Sequence, residues 1–197
     1  SMRGLPRAYW FVWAGTLVNR LGSFVLPFLA LYLTGQRRLS VDEVGLIVAL
    51  YGAGTLVSGP VGGALADRVG RRATMVGAMA LGAAAMLALG FARGTAAIAA
   101  ATFALGFFGE LYRPAVQAMV ADLVAPADRQ RAYGLLYWVI NVGFSMAPVL
   151  GGLLASSGAG YTALFVGDAA TSLACAAIVR LRVPETLAPR AARSATA

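Results

Sequence analysis

Gly63-Ala64-Leu65-Ala66-Asp67-Arg68-Val69-Gly70-Arg71-Arg72 decides how the rest of the chain is read. Between positions 67 and 72 it packs one acid and three arginines around a glycine. The runs on either side, 44–66 and 73–92, carry no charged residue at all. Each run is continuous, rich in alanine, leucine and glycine, and as long as the roughly 17–25 residues a helix needs to cross a bilayer. A barrel strand is far shorter and alternates in polarity. The stretch therefore reads as a short polar turn joining two antiparallel membrane helices. Moving outward, four more runs qualify, at about 8–33, 96–123, 133–155 and 162–180. The breaks Thr34–Glu43, Ala92–Thr95, Val124–Ala132 and Ser156–Tyr161 carry turn and charge signals.

Composition agrees. Apolar residues make up 59% of the 197 and charged residues 12%, against about 25% charged in soluble domains. Sixteen bases, all arginine, and eight acids leave a net charge of +8. These arginines fall between apolar runs and form no basic stripe, so nucleic acid is not the implied partner; the lipid bilayer is. There is no histidine, and Cys175 is the one cysteine. Disulfide frameworks, cysteine zinc sites and histidine-dependent catalysis are excluded within the chain. Gly52 and Gly54 lie inside a run and precede no Gly-Lys pair, so no phosphate loop is formed. The reading is an all-α polytopic membrane protein, not an enzyme, with no metal and no organic cofactor. Arg3 and Arg7 before the first run imitate a signal peptide, but the run is too long and is interrupted at Asn19-Arg20.

Short arginine-bearing loops stay cytoplasmic. With the N-terminus inside, eleven arginines (3, 7, 68, 71, 72, 129, 131, 180, 182, 190, 193) are cytoplasmic and three (37, 38, 93) are outside. Both termini are then cytoplasmic. Spans one and four carry charge near mid-depth, as Asn19 and Arg20, then Glu110 and Arg113. Spans two and five each combine proline with small residues: Gly59, Pro60 and Gly63, then Gly143, Ala147, Pro148 and Gly151. Three spans form an odd number, so the expected architecture is six transmembrane helices as two inverted three-helix repeats, a common construction in secondary transporters. The small residues are expected to let helices approach closely, either as static packing or as a sliding face. Arginine at the bilayer centre costs about 2.5–3.5 kcal/mol on insertion scales. Arg20 and Arg113 therefore need partners or water. Glu110 lies three residues from Arg113, and Asp168 interrupts span six, so these five polar residues are candidates for a substrate or proton pathway. Arg20, Arg113, Glu110 and Asp168 are expected to line one wall of a cavity whose other wall belongs to another domain.

The segment 63–72 resembles the loop motif of the major facilitator superfamily, G-x-L-A-D-R-x-G-R-[KR], without departure. That resemblance implies a cytoplasmic latch between transporter halves built on Asp67 and Arg71, with Gly63, Arg68, Gly70 and Arg72 completing the motif and Asp122 as a third member. Gly143-Phe144-Ser145-Met146-Ala147-Pro148-Val149-Leu150-Gly151-Gly152 resembles the antiporter motif G-x-x-x-G-P-x-x-G-G of proton-coupled drug exporters, departing at Ala147. Arg113 falls where exporters of the superfamily carry an arginine linked to proton transfer. Pro184-Glu185-Thr186 is similar to the start of their central cytoplasmic loop.

The resemblance covers half of a usual twelve-span member. It implies an N-terminal six-helix transporter domain, residues 1–183, followed at 184–197 by the start of a disordered central loop. The chain is then an N-terminal half, or a natural six-span protein that pairs with another copy. It implies an integral plasma (inner) membrane protein exporting small amphipathic organic molecules, with the proton as coupling ion and a second six-helix domain as partner. Metabolite symport, kept open by the departure at Ala147, and a non-transporting membrane assembly module are the alternatives.

Overall fold

The computed structural model describes residues 4–156 and 160–187. Six helical segments are long and apolar enough to cross a membrane: Arg7–Gln36, Val41–Arg68, Arg71–Phe91, Thr95–Leu123, Pro126–Ser156 and Gly160–Arg182. Nine of the twelve bounds read from sequence fall within two residues of these; the end of span one and the starts of spans two and five lie further out, which shortens the loops between them. Span two begins early because Ser40 and Glu43 close a capping box over its first turn. Span five gains a 3₁₀ turn, Pro126–Asp128, before its main helix. The central loop expected from residue 184 onward does not start as free chain: residues 184–187 are held against the bundle, and 188–197 lie outside the described residues.

Two spans are not single helices. Span one comprises α1 (Arg7–Leu21), α2 (Val25–Leu31) and a π turn, Tyr32–Gln36. Span two is α3 (Val41–Arg68) and span three α4 (Arg71–Phe91). Span four is broken at Leu111 into α5 (Thr95–Glu110) and α6 (Tyr112–Leu123). Spans five and six are α7 (Arg129–Ser156) and α8 (Gly160–Arg182). Proline explains both breaks. A proline lacks the N–H and its ring crowds the carbonyl four residues back. Those carbonyls belong to Ser23, before Pro27, and to Glu110, before Pro114, which is where the two helices part.

The three-span repeat is visible as a register. α1 and α5 start at 7 and 95, and α3 and α7 at 41 and 129, so 95 − 7 = 129 − 41 = 88. α3 and α7 are both 28 residues long, with proline at the same place, since 60 − 41 = 148 − 129 = 19. Packing follows the same symmetry. α3 runs along span four as α7 runs along span one, and α4 and α8 pack against each other between them. Because each unit has three spans, the two lie inverted in the membrane.

Buried apolar residues form two clusters. One holds Tyr9, Val12, Met75, Met119, Leu136 and Val179. The other holds Leu29, Leu33, Ile47, Leu89, Ile98 and Leu164. Asn19 and Arg20 in span one and Ser172 in span six fall between these clusters. Spans two and five are the least buried, leaving Leu56 79% and Leu153 65% exposed, as lipid or a second domain requires.

Close approach is real, but in span two it uses a different row from the expected one. Gly59 and Gly63 face open space. The buried row is Gly54, Ser58 and Gly62, one helix face away. A Cβ on Gly54 would lie 2.5 Å from the Phe103 carbonyl oxygen and 2.8 Å from the Phe107 nitrogen. In span five the expected row holds: Gly143, Ala147 and Gly151 are buried. A side chain on Gly143 would overlap Arg20, and one on Gly151 would meet the Phe28 ring at 2.8 Å. Pro148, next to that row, is exposed, and Gly152 keeps an ordinary contact of 3.7 Å with Phe28.

Candidate functional site: a polar layer and a cytoplasmic clasp

The two helix breaks bring the mid-membrane polar residues to one level. Arg20 lies in the last turn of α1, Glu110 ends α5, and Tyr112 and Arg113 open α6. The Arg20 guanidinium donates through Nη2 to the Tyr112 hydroxyl, and its carbon lies 5.6 Å from the centroids of both the Tyr112 and Phe144 rings. Arg113 Nε is paired with Glu110 three residues earlier, the expected partner, although the break at Leu111 places the two on successive helices rather than within one. Asn19 Nδ2 donates to Ser172 Oγ at 3.0 Å.

Asp168 has a structural partner that the sequence did not reveal. The backbone N–H of Val25 donates to it at 3.3 Å. That N–H opens α2, where the break in span one leaves a donor without an intrahelical carbonyl. The carboxylate from span six thus closes a gap created by Pro27.

A cavity of about 460 Å³ opens beside this layer, walled by Arg20, Tyr51, Thr55, Glu110, Arg113 and Phe144. A smaller one of about 60 Å³ lies inward, reaching Asn19, Arg20, Glu110, Tyr112 and Asp168. Of the four charges expected on one open wall, Arg20, Glu110 and Arg113 line this cavity and Asp168 does not. Arg20 and Asp168 are 6% and 5% exposed, enclosed within the six-helix unit. Glu110 and Arg113 face the open side, Arg113 with half its side chain exposed. Tyr51, Tyr112 and Phe144 were not singled out from sequence, because an aromatic residue in an apolar span is ordinarily core. The need of Arg20 for a partner was the available signal.

At the other end of spans two and three, Arg71 pairs with Asp67 at 3.3 Å and with Asp122 at 3.1 Å, and donates to the Ala66 carbonyl at 3.2 Å. The three residues grouped from sequence therefore meet. Arg72 donates to the Val183 carbonyl at 3.4 Å. Glu185 was missed as a contributor. Its carboxylate accepts from the backbone N–H groups of Arg71, Arg72 and Ala73 at 2.8, 3.2 and 3.4 Å, the first turn of α4. Thr186 Oγ1 donates to Asp122 at 2.8 Å, so the segment after span six is clasped to spans three and four together. Gly70 makes the clasp possible. Its φ is +123°, and any Cβ there would collide with the Glu185 carboxylate. Burial works against the charged form of Glu185, but donors from Leu187, Arg71, Ala73 and Arg72 outweigh it and hold its pKa below the usual 4.5.

Six membrane helices in inverted threes, with broken helices at a polar mid-layer and a charged hairpin at one end, define one domain of a secondary-transporter fold. The profile of the Major Facilitator Superfamily matches residues 12–196, and the chain belongs to that superfamily, whose fold is that of transporters rather than enzymes. It is 30% identical over 158 residues to the uncharacterized MFS-type transporter YqjV of Bacillus subtilis (strain 168), covering 75% of this chain and 36% of that protein. It is 30% identical over 175 residues to the multidrug resistance protein MdtH of Aeromonas salmonicida (strain A449), covering 88% of this chain and 43% of that one. Among solved structures, a peptide transporter, POT, superposes with a TM-score of 0.79 at 23% identity, over 100% of this chain and 44% of its own. The chain thus spans less than half the length of these relatives. The protein is an integral membrane protein.

Proposed function

We propose that this chain is the N-terminal half of a proton-coupled exporter of small amphipathic organic molecules, embedded in the plasma (inner) membrane with both termini cytoplasmic. The observation that carries the reading is the Glu110–Arg113 pair, set at a helix break and facing an open cavity of about 460 Å³ at mid-depth. Ionisable residues within a membrane domain face a bundle interior or a cavity and mark ion and substrate paths. A second six-helix domain closes the cavity from the other side. The two domains rock about the polar layer in alternating access, and proton exchange at Glu110, against the attraction of Arg113, biases the two states. The clasp around Arg71 holds the cytoplasmic side in the state that faces outward. The names of relatives support export of foreign compounds: MdtH is a multidrug resistance protein, and NorA of Staphylococcus aureus, 24% identical over 131 residues, is a quinolone resistance protein.

The test is transport by the complete transporter in proteoliposomes under an imposed proton gradient. Glu110→Gln should abolish gradient-driven movement while leaving exchange of substrate across the membrane measurable. Equal gradient-driven flux in both proteins would remove Glu110 as the proton carrier.

A further inference from the structure

Charge on the wall of the open cavity does not balance. Three ionisable side chains line it: Arg20, Glu110 and Arg113. Glu110 is committed to Arg113. Arg20 forms no ion pair among the described residues. Asp168, the other acid of the polar layer, is turned toward the Val25 N–H and does not line this cavity. Two cations and one anion leave the wall with one positive charge in excess.

The surplus charge is fixed in place. Arg20 is 6% exposed, and its Nε is buried with no hydrogen-bond partner among the described residues. Its guanidinium is held by the Tyr112 hydroxyl and lies near two rings. α7 passes so near that Gly143 has no room for a side chain beside the Arg20 backbone. A rigid cation in a medium of low dielectric, with no anion paired to it, attracts an anion more strongly than the same group does in water. Beside it the wall is amphipathic, with Leu26, Pro27 and the Phe144 ring next to the hydroxyls of Ser23 and Thr55. Pockets of about 300–1,000 Å³ are the usual size for small organic ligands, and the cavity of about 460 Å³ falls in that range.

We propose that the cavity takes amphipathic organic anions, a carboxylate or sulfonate on an aromatic body, with the acid group received between Arg20 and Arg113 and the ring laid against Phe144 and Leu26. This deepens the transport reading and rests on it for the cavity being a substrate path. An amphipathic cation meets the opposite situation, because the one acid on the wall is already neutralised by Arg113.

Three matched probes separate the cases: 2-naphthoate, 2-naphthylmethylammonium and 2-naphthylmethanol, which share a ring and differ in charge. Binding is measured by calorimetry on the complete transporter in nanodiscs of zwitterionic lipid, with empty nanodiscs subtracted. Naphthoate should bind at least about tenfold tighter than the ammonium probe, with the alcohol between them, a ratio that one uncompensated charge readily supplies at low effective dielectric. Arg113→Gln, at a half-exposed position where folding is least at risk, brings the wall to neutrality and should remove most of that ratio. Arg20→Gln should do the same. Glu110→Gln adds a second uncompensated cation and should tighten naphthoate, even though it abolishes proton coupling. Equal or tighter binding of the ammonium probe, or a ratio untouched by Arg113→Gln and Glu110→Gln, overturns the proposal. So does failure of all three probes to bind. Flux of the same probes distinguishes the two readings. Selective naphthoate binding without gradient-driven flux upholds the anion site and sinks the exporter. Gradient-driven flux that prefers the ammonium probe upholds the exporter and sinks the anion site.

Discussion

Removal of the Glu185 carboxylate should loosen the start of α4, and by an amount that can be worked from its contacts. Arg71, Arg72 and Ala73 occupy the first turn of that helix. Their N–H groups have no carbonyl within the helix to bond. Glu185 supplies the acceptor for all three, at 2.8, 3.2 and 3.4 Å. Loss of a side-chain cap costs about 0.5–2 kcal/mol, and a negative charge at the positive end of a helix contributes roughly 0.3–1 kcal/mol more. The carboxylate is exposed, so water screens it and the total stays toward the lower end, about 1–2 kcal/mol. That corresponds to a factor of roughly 5–30 in a local opening equilibrium. Hydrogen exchange read by mass spectrometry reports this directly. Glu185→Ala should speed exchange of the amides at 71–73 by that factor, while those in the middle of α4 keep their rates. Glu185→Gln, which retains an acceptor oxygen without the charge, should fall between. Acid should mimic the substitution. The folded pKa lies below the ordinary glutamate value of 4.5. The clasp is therefore complete above pH 4.5 and is lost as pH falls through the lower folded value. Unchanged exchange at 71–73 in Glu185→Ala would refute the clasp and return this segment to the role of a simple linker.

Three other outcomes follow from the same packing. Gly54→Leu should cost several kcal/mol and lower the yield of monodisperse protein, because its Cβ meets backbone atoms of span four; Gly59→Ala, whose Cβ meets nothing, should be neutral or stabilising by up to about 1 kcal/mol. Asp168→Asn keeps an acceptor for the Val25 N–H and should preserve thermal stability, whereas Asp168→Ala leaves that donor unmet at about 1–3 kcal/mol; equal melting of the two variants would deny the capping role. Asp67→Asn removes a pair with one exposed partner and should change the stability of this domain by less than about 1 kcal/mol. Its effect belongs to the conformational balance of the complete transporter, where electron-resonance distances between the cytoplasmic ends of the two domains should lengthen. Distances unchanged from the parent protein would reduce the motif to a topology signal.

How much of this was legible without coordinates depends on the range of the interaction. The six spans were, because the bilayer demands long uncharged runs and the hairpin at 63–72 interrupts them with charge. The Glu110–Arg113 pair was, because opposite charges three residues apart in one span stay within reach, even across the break at Leu111. The grouping of Asp67, Arg71 and Asp122 followed from resemblance and from the loop each residue occupies. The helix breaks were written in the chain as Pro27 and Pro114, but a proline in a membrane helix also occurs unbroken, as Pro60 and Pro148 do here. Only neighbouring helices decide whether the freed carbonyl and N–H are met in a break or in a bend.

The sequence by itself determined what depends on composition and local spacing: the membrane class, the number and inversion of the spans, and which opposite charges stay within reach along one span. The tertiary structure alone decided which row of small residues in span two is the contact face, since Gly54 and Gly59 are equivalent to any pattern until α5 is laid against one of them. It also decided that Asp168 serves the break in span one, 143 residues away in sequence. Glu185 finds the first turn of α4 across more than a hundred positions of chain in the same way. Such partners are set by how the helices stack, and a buried donor or charge accepts whichever group the stacking delivers to it.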